Sequence, residues 1–239
     1  MTPASFAGVL TVTALLISCG AQAQIPPQVI PAVPELGTPN FTMPGSSNSA
    51  APSGGSSAPY SGTSGSTDAD SALLSQPYGA RAVTAAQAAG INPDTLAAFG
   101  QIESHFQNVG NGSSSAQGVW QITNGTWDQY ASQLGLSNAD RSDPAVQAQV
   151  ASAIISGYAS TVSAATGSPA TGVQVYGAYM FGPQAGKNIA LAQDPNAPLS
   201  HFVPASELAV NNMSGWTVQQ YQQTVAARMG SGASEAVTS

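Results

Sequence analysis

The sequence predicts an α+β domain, predominantly α-helical, that follows a long unstructured leader. Three observations predict this fold class. Apolar residues recur at spacings of three and four between Leu96 and Phe106, as on the buried face of a helix. Helix start and stop signals recur over residues 76–229. Residues 24–75 are dense in Pro, Ser, Gly and Thr, so they bury too little apolar surface to fold. A flexible tail is expected over residues 230–239.

The first 23 residues are typical of a secretory signal peptide. Their apolar stretch, residues 6–17, is long enough for a signal sequence and too short to span a bilayer. Two processing sites compete: a lipobox ending at Cys19, and the small residues Ala21 and Ala23 of an ordinary cleavage site. The lipobox is favoured because the chain's only cysteine falls where lipidation requires it. We therefore expect a bacterial cell-envelope protein, either an outer-membrane lipoprotein held by a lipid anchor or a periplasmic or secreted protein.

Charge and composition exclude several function classes. Charged residues make up 6% of the chain and the net charge is −7, with four Lys and Arg residues in total. No basic patch can form from so few cations, which argues against nucleic acid as a partner. The chain has two histidines, and its one cysteine precedes the predicted domain, so no metal site is expected.

Local signals place the helices in order. Asn92-Pro93-Asp94 and Asp143-Pro144 each provide a capping side chain followed by proline at the first helical position. Thr217 and Gln220 form a capping-box pattern. Residues 107–118 are too rich in glycine and serine for a helix, and Val119 to Thr123 alternates as a short strand does. The predicted helices cover residues 80–89, 93–106, 125–134, 145–165, a segment ending near 181, and 217–229.

Glu103 is the strongest candidate for chemistry. It is the only carboxylate between Asp94 and Asp128, and it follows Phe99 by one helical turn. An acid among apolar side chains is poorly solvated, which raises its pKa and suits a general acid near neutral pH. Taken alone, a glutamate near a helix end more often points into water. The motifs around Glu103 argue for the catalytic interpretation.

Three fragments, in order, resemble motifs of the soluble lytic transglycosylases, which have a lysozyme-like fold. They are Glu103-Ser104, then Gly118-Val119-Trp120-Gln121, then the segment from Ala178 to Gly182. The resemblance implies cleavage of the β-1,4 bond between N-acetylmuramic acid and N-acetylglucosamine in peptidoglycan, with a 1,6-anhydro ring formed and no water consumed. It implies no cofactor. Independently of the resemblance, residues 107–123 predict a small β-hairpin or irregular loop directly after the helix that carries Glu103.

The resemblance assigns roles by position. Glu103 would be both the acid and the base, and Tyr179 would lie near it. Gly118 to Gln121 would line the sugar groove. Trp120 departs from the usual Met or Phe of this motif: an exposed Trp could stack on a sugar, and a core position is an equal alternative for this residue type. The third motif departs from the family pattern, because Met180 and Phe181 replace the usual Asn and Ala. The residues assigned to substrate binding are Ser104, Gly118, Val119, Trp120, Gln121 and Tyr179.

Other functions stay open at the level of sequence. A hydrolytic muramidase or chitinase on the same fold would need a second carboxylate, and Asp128 is the nearest after Glu103 in sequence. The altered third motif is compatible with a catalytically silent module of a secretion system, which binds peptidoglycan or serves in assembly of the system. The long leader is compatible with an enzyme that opens the wall locally, within a secretion or conjugation machine.

Overall fold

A computed structural model describes Tyr60, residues 68–112 and residues 114–239 of the 239-residue chain. The predicted signal peptide and Cys19 lie outside the described residues, as does most of the predicted linker. No helix in the described part of the chain is long and apolar enough to cross a membrane. The α-helices of the described residues are α1 (Asp68–Leu74), α2 (Gly79–Ala88), α3 (Pro93–Ser104), α4 (Asn124–Gln133), α5 (Pro144–Thr166), α6 (Gly172–Phe181), α7 (Pro183–Ala190), α8 (Ala205–Val210) and α9 (Val218–Met229).

The predicted capping residues begin their helices. The Asn92 side chain accepts a hydrogen bond from the backbone N–H of Asp94, and Asp143 accepts one from Ala145. Thr217 and Gln220 form both bonds of the capping box at the start of α9. These bonds satisfy backbone donors that have no partner within the helix. The prediction of a predominantly helical domain is confirmed.

Helix α3 is the centre of the fold. Of its 12 residues, 11 are buried, and it contacts α1, α2, α5, α6 and α9. Helix α5, the longest, lies against α2, α6 and α7. A helix that is covered on every side holds its side chains in a fixed environment, including the few polar ones. Glu103 lies one residue before the end of this central helix.

The small β-hairpin predicted after α3 is not confirmed. The described residues of this segment form only isolated bridges, between Gly110 and Gln117 and between Gln117 and Ile122. Gln121 has a φ of 45°, in the left-handed region that interrupts an extended strand. The segment is therefore a compact loop rather than a pair of strands.

Both predicted domain boundaries need correction. Residues 68–74, expected in the flexible linker, form α1, and its Leu73 side chain is completely buried. The expected flexible tail forms a 3-10 helix, Gly230–Ala233, and buries Val237 against the domain. Both segments are short, so their order depends on contacts with helices distant in sequence rather than on local signals.

Candidate active site

The end of α3 places the Glu103 carboxyl group inside the protein. His105 and Phe106 follow the helix with φ values of 51° and 61°, both left-handed. The Phe106 ring folds back onto Gly100, where an added methyl group would lie 2.9 Å from the ring. The Tyr78 hydroxyl donates a hydrogen bond of 3.0 Å to the Phe106 carbonyl. These contacts reverse the chain immediately after Glu103, whose side chain is 2% exposed.

One side chain contacts the carboxyl group by a hydrogen bond within the described residues. The Tyr176 hydroxyl donates to Glu103 Oε1 at 2.9 Å. The other carboxyl oxygen, Oε2, is buried and has no partner there. Burial raises the pKa of Glu103 to about 8, and the hydrogen bond from Tyr176 opposes this rise. Glu103 thus holds its proton at neutral pH, as a general acid must.

Three aromatic rings enclose this hydrogen bond. Phe99 lies one turn before Glu103 on α3, and its ring meets Tyr176 and Tyr179 edge-on, with centroids 5.1 Å apart in both pairs. The rings of Tyr176 and Tyr179 stack with an interplanar angle of 14°. All three side chains are buried. Apolar walls of this kind exclude water, and they account for the burial that raises the pKa of Glu103.

Tyr179 does not contact Glu103 through its hydroxyl. That hydroxyl donates to the Trp120 carbonyl at 2.6 Å. The sequence comparison of motifs indicated Tyr179 as the tyrosine near the acid, and it missed Tyr176. Both lie on α6 three residues apart, so both face α3. The spacing could have suggested Tyr176 as a second candidate, but only the packing of α6 on α3 decides which hydroxyl reaches the carboxyl group.

Ser104 joins α3 to the loop that follows it. Its hydroxyl donates to the Val119 carbonyl at 2.7 Å. The side chain is nearly buried, with 9% of its surface exposed. In this conformation Ser104 fixes the loop against the helix, and its hydrogen bond does not orient the carboxyl group.

The segment from Gly118 to Gln121 lies in the interior rather than along an open groove. Trp120 is completely buried and its indole N–H donates to the Leu96 carbonyl at 2.9 Å. Trp120 thus occupies a core position in this structure, and its contact with a sugar stays a prediction. Val119 is also completely buried. Its side chain packs in the core because the loop folds inward beneath α3.

Gln121 keeps one free acceptor. Its Nε2 atom donates to the carbonyls of Val109 and Gly118, at 3.0 and 2.7 Å. Its Oε1 atom is buried without a partner in the described part of the chain. Gly118 has a φ of 84°, and an added Cβ would overlap the Gln147 side chain. A glycine is required here both by the backbone conformation and by the close approach of α5.

Gln147 was missed by the sequence analysis. Its Oε1 atom accepts from the Val119 N–H at 2.9 Å, and its Nε2 atom donates to Asn108 and to the Arg141 carbonyl, at 2.9 and 2.8 Å. The available signal was a glutamine among alanines and valines at the start of a long apolar helix. Gln147 holds the loop after α3 from the side of α5.

A comparison with protein-family models identifies the domain. Residues 82–198 match the model of the transglycosylase SLT domain. These residues belong to that family. The match includes Glu103, Tyr176 and Tyr179, and it begins within α2. No curated protein matches the chain.

The SLT domain accounts for the general function. This family consists of lytic transglycosylases, and the match supports an enzyme of this general type that acts on peptidoglycan. Such domains are typical of bacterial cell-envelope enzymes. The helical SLT domain agrees with the lysozyme-like fold that the motifs predicted.

Proposed function

We propose that the protein cleaves the β-1,4 bond between N-acetylmuramic acid and N-acetylglucosamine and leaves a 1,6-anhydro ring, with Glu103 as its single catalytic carboxyl group. The observation that carries this proposal is the buried Glu103, whose pKa of about 8 keeps it protonated at neutral pH. Such an acid can donate its proton to a glycosidic oxygen. Two buried oxygens near this site, Glu103 Oε2 and Gln121 Oε1, have no hydrogen-bond partner among the described residues, which leaves both to interact with a bound sugar.

The proposed reaction uses Glu103 twice. Its proton passes to the glycosidic oxygen as the bond from that oxygen to C1 of N-acetylmuramic acid breaks. The carboxylate then takes the proton of the C6 hydroxyl, whose oxygen attacks C1 and closes the anhydro ring. Glu103 ends the cycle protonated, and no water enters. Because Glu103 is 2% exposed, the glycan strand can reach it only after the surrounding side chains move.

A hydrolytic mechanism is less well supported. It would require a second carboxylate near the sugar, and the sequence offered Asp128. That residue is exposed, and its charge acts on Arg141, whose pKa it raises against the lowering effect of burial. The pKa of Glu103 is governed by its burial and by Tyr176. A mechanism with one carboxyl group therefore fits the site better.

Mass spectrometry of the products tests the proposal. The full chain is incubated with purified peptidoglycan, and the released muropeptides are analysed. We expect muropeptides that end in 1,6-anhydromuramic acid. Reducing ends would indicate a hydrolase and direct attention to Asp128. The absence of any product from a folded sample would favour a binding or assembly module.

We further propose that the enzyme remodels the cell wall or opens it locally in the bacterial envelope, where a secretion or conjugation machine is a candidate partner. The SLT domain supports the peptidoglycan substrate. The choice between these roles depends on the protein partner, which can be sought by cross-linking in the source bacterium. A trapped envelope-spanning machine would favour local opening, and an even distribution along the wall would favour general remodelling.

A further inference from the structure

The two oxygens of the Glu103 carboxyl group have different surroundings. Oε1 accepts the hydrogen bond from Tyr176 at 2.9 Å, whereas Oε2 is buried with no partner among the described residues. A neutral carboxyl group carries its proton on one oxygen, and an oxygen that accepts from a phenol has a lone pair engaged in that bond. The proton of Glu103 therefore belongs on Oε2.

We propose that Tyr176 is a positioning residue that holds Oε1 of Glu103 and thereby presents the acidic proton on Oε2 to the glycosidic oxygen. This inference rests on the proposed role of Glu103 as the catalytic acid. Tyr176 acts through the carboxyl group and contacts no sugar atom itself. Its hydroxyl fixes both the rotation of the carboxyl group and the oxygen that carries the proton.

The packing around Tyr176 makes it a rigid support. The ring is completely buried, with the Phe99 ring perpendicular to it and the Tyr179 ring nearly parallel to it. Phe99 lies on the same helix as Glu103. Helix α3 therefore carries both the carboxyl group and a ring that packs against Tyr176. A group held by packing in this way preserves the geometry of its neighbour without a further loss of entropy during the reaction.

Tyr176 remains a donor throughout the working pH range. Burial, together with the negative charge of Glu103, raises its pKa well above the ordinary value of 10.0. The phenol is therefore protonated both when Glu103 is neutral and when it is charged. It can stabilise the carboxylate that forms after the first proton transfer, which opposes the effect of burial on Glu103.

Tyr179 offers a matched control on the same helix. It is buried to the same degree, packs against the same Phe99 ring, and also donates a short hydrogen bond. Its acceptor is the Trp120 carbonyl rather than Glu103. Removing either hydroxyl leaves one buried acceptor unpaired and alters the core by one oxygen atom. Only the Tyr176 hydroxyl should influence the titration of Glu103 through a hydrogen bond.

The test compares the full chain with Tyr176→Phe and Tyr179→Phe. The titration of Glu103 is followed by NMR of ¹³C-labelled glutamate carboxyls, of which the chain has four, with Glu103→Gln used to assign the signal. In Tyr176→Phe we expect the Glu103 midpoint to rise by about one pH unit. We expect kcat to fall by about tenfold or more with little change in KM. Tyr179→Phe should leave the midpoint unchanged.

Three results would overturn the inference. They are an unchanged midpoint in Tyr176→Phe, a shifted midpoint with an unchanged kcat in that variant, and equal shifts of the midpoint in the two variants. If Tyr176→Phe does not fold, 3-fluorotyrosine at position 176 replaces it, because the more acidic phenol is a stronger donor of the same shape. The Glu103 midpoint should then fall, and no change would again overturn the inference. Failure of the proposed function is distinguishable, since it would appear as absence of anhydro products from the unmodified chain.

Discussion

At the residue scale, the behaviour of Glu103 depends on where its proton is held. The ordinary pKa is 4.5 and the folded protein raises it to about 8. Between these values the unfolded chain loses the proton and the folded chain keeps it. Unfolding then releases a proton, so a rise in pH favours the unfolded state. The free energy of unfolding should fall from about pH 4.5 to about pH 8 and level off above.

Replacement of Glu103 by Gln should remove this dependence. The amide has nearly the same shape, and its oxygen can still accept from Tyr176, but it does not titrate. We expect the stability of Glu103→Gln, relative to the unmodified chain, to increase as the pH rises from 5 to 9. Urea unfolding at pH 5, 7 and 9 measures the difference, in which the contributions of other groups cancel. A difference that stays constant with pH would contradict the raised pKa of Glu103.

The same substitution should abolish cleavage, because an amide cannot donate a proton as an acid. In the unmodified chain, activity should decline above about pH 8 as Glu103 loses its proton. Anhydro-muropeptide release, measured across the pH range, checks both expectations. Circular dichroism of Glu103→Gln at pH 7 provides the control for folding. Substantial product from a folded Glu103→Gln sample would exclude Glu103 as the catalytic acid.

At the scale of elements, the loop between α3 and α4 depends on neighbours rather than on its own secondary structure. Arg141 donates to the Ile122 carbonyl and to the Asn124 side chain, and its guanidinium lies 5.2 Å from the centre of the Trp127 ring. Gln147 holds the same loop from α5. The loop carries the carbonyls that accept from Ser104 and Tyr179, so it also braces the two helices of the site.

Gln147→Leu should therefore destabilise the domain. The leucine has similar bulk but leaves the buried Val119 N–H without its acceptor, and an unsatisfied buried donor costs about 2 kcal/mol. Urea unfolding at pH 7 measures this loss. Gln149→Leu is the matched control, since Gln149 lies two residues further along α5 and is exposed. Its effect should stay within about 0.5 kcal/mol. Equal effects at the two positions would show that the Gln147 bonds do not hold the loop.

At the scale of the whole molecule, the sequence predicts those features that depend on neighbouring residues. Asn92, Asp143 and Thr217 cap their helices through bonds within three residues, so a short segment contains the whole signal. The apolar spacing in α3 predicts the buried face that carries Phe99 and places Glu103 one turn after it. The apolar neighbours predicted a poorly solvated Glu103, and burial is what raises its pKa in the structure.

Features that depend on distant contacts could not be predicted. Tyr176 reaches Glu103 across 73 positions of the chain, and a motif comparison indicated its neighbour on the same helix face. Trp120 is a core residue whose indole N–H donates to the Leu96 carbonyl, 24 positions away in the chain. Helix α1 and the last residues carry weak local signals, yet both pack on α3 or its cap. In each case the position of the side chain or segment depends on how a helix or loop packs against distant parts of the chain, and neighbouring residues in the sequence do not determine that packing.

The C-terminal residues of the described structure should be required for the stability of the whole domain. Val237 is completely buried, its N–H donates to the Ala170 carbonyl at 2.9 Å, and its carbonyl accepts from the Asn92 N–H at 2.8 Å. The Glu235 carboxylate accepts from the Asn92 side chain at 2.8 Å. These bonds join the beginning of α3 to the segment before α6, the two helices that bring Glu103 and Tyr176 together.

Deletion of residues 234–239 should lower the free energy of unfolding by about 5 kcal/mol. The estimate combines about 2 kcal/mol for the burial of one valine with about 1 kcal/mol for each lost hydrogen bond. Deletion of residues 238–239 is the control, because it leaves Glu235 and Val237 in place, and its effect should be small. Urea unfolding of both shortened chains measures the difference. Equal stability of the two would mean that this segment is not part of the cooperative fold, and that α3 keeps Glu103 in position without it.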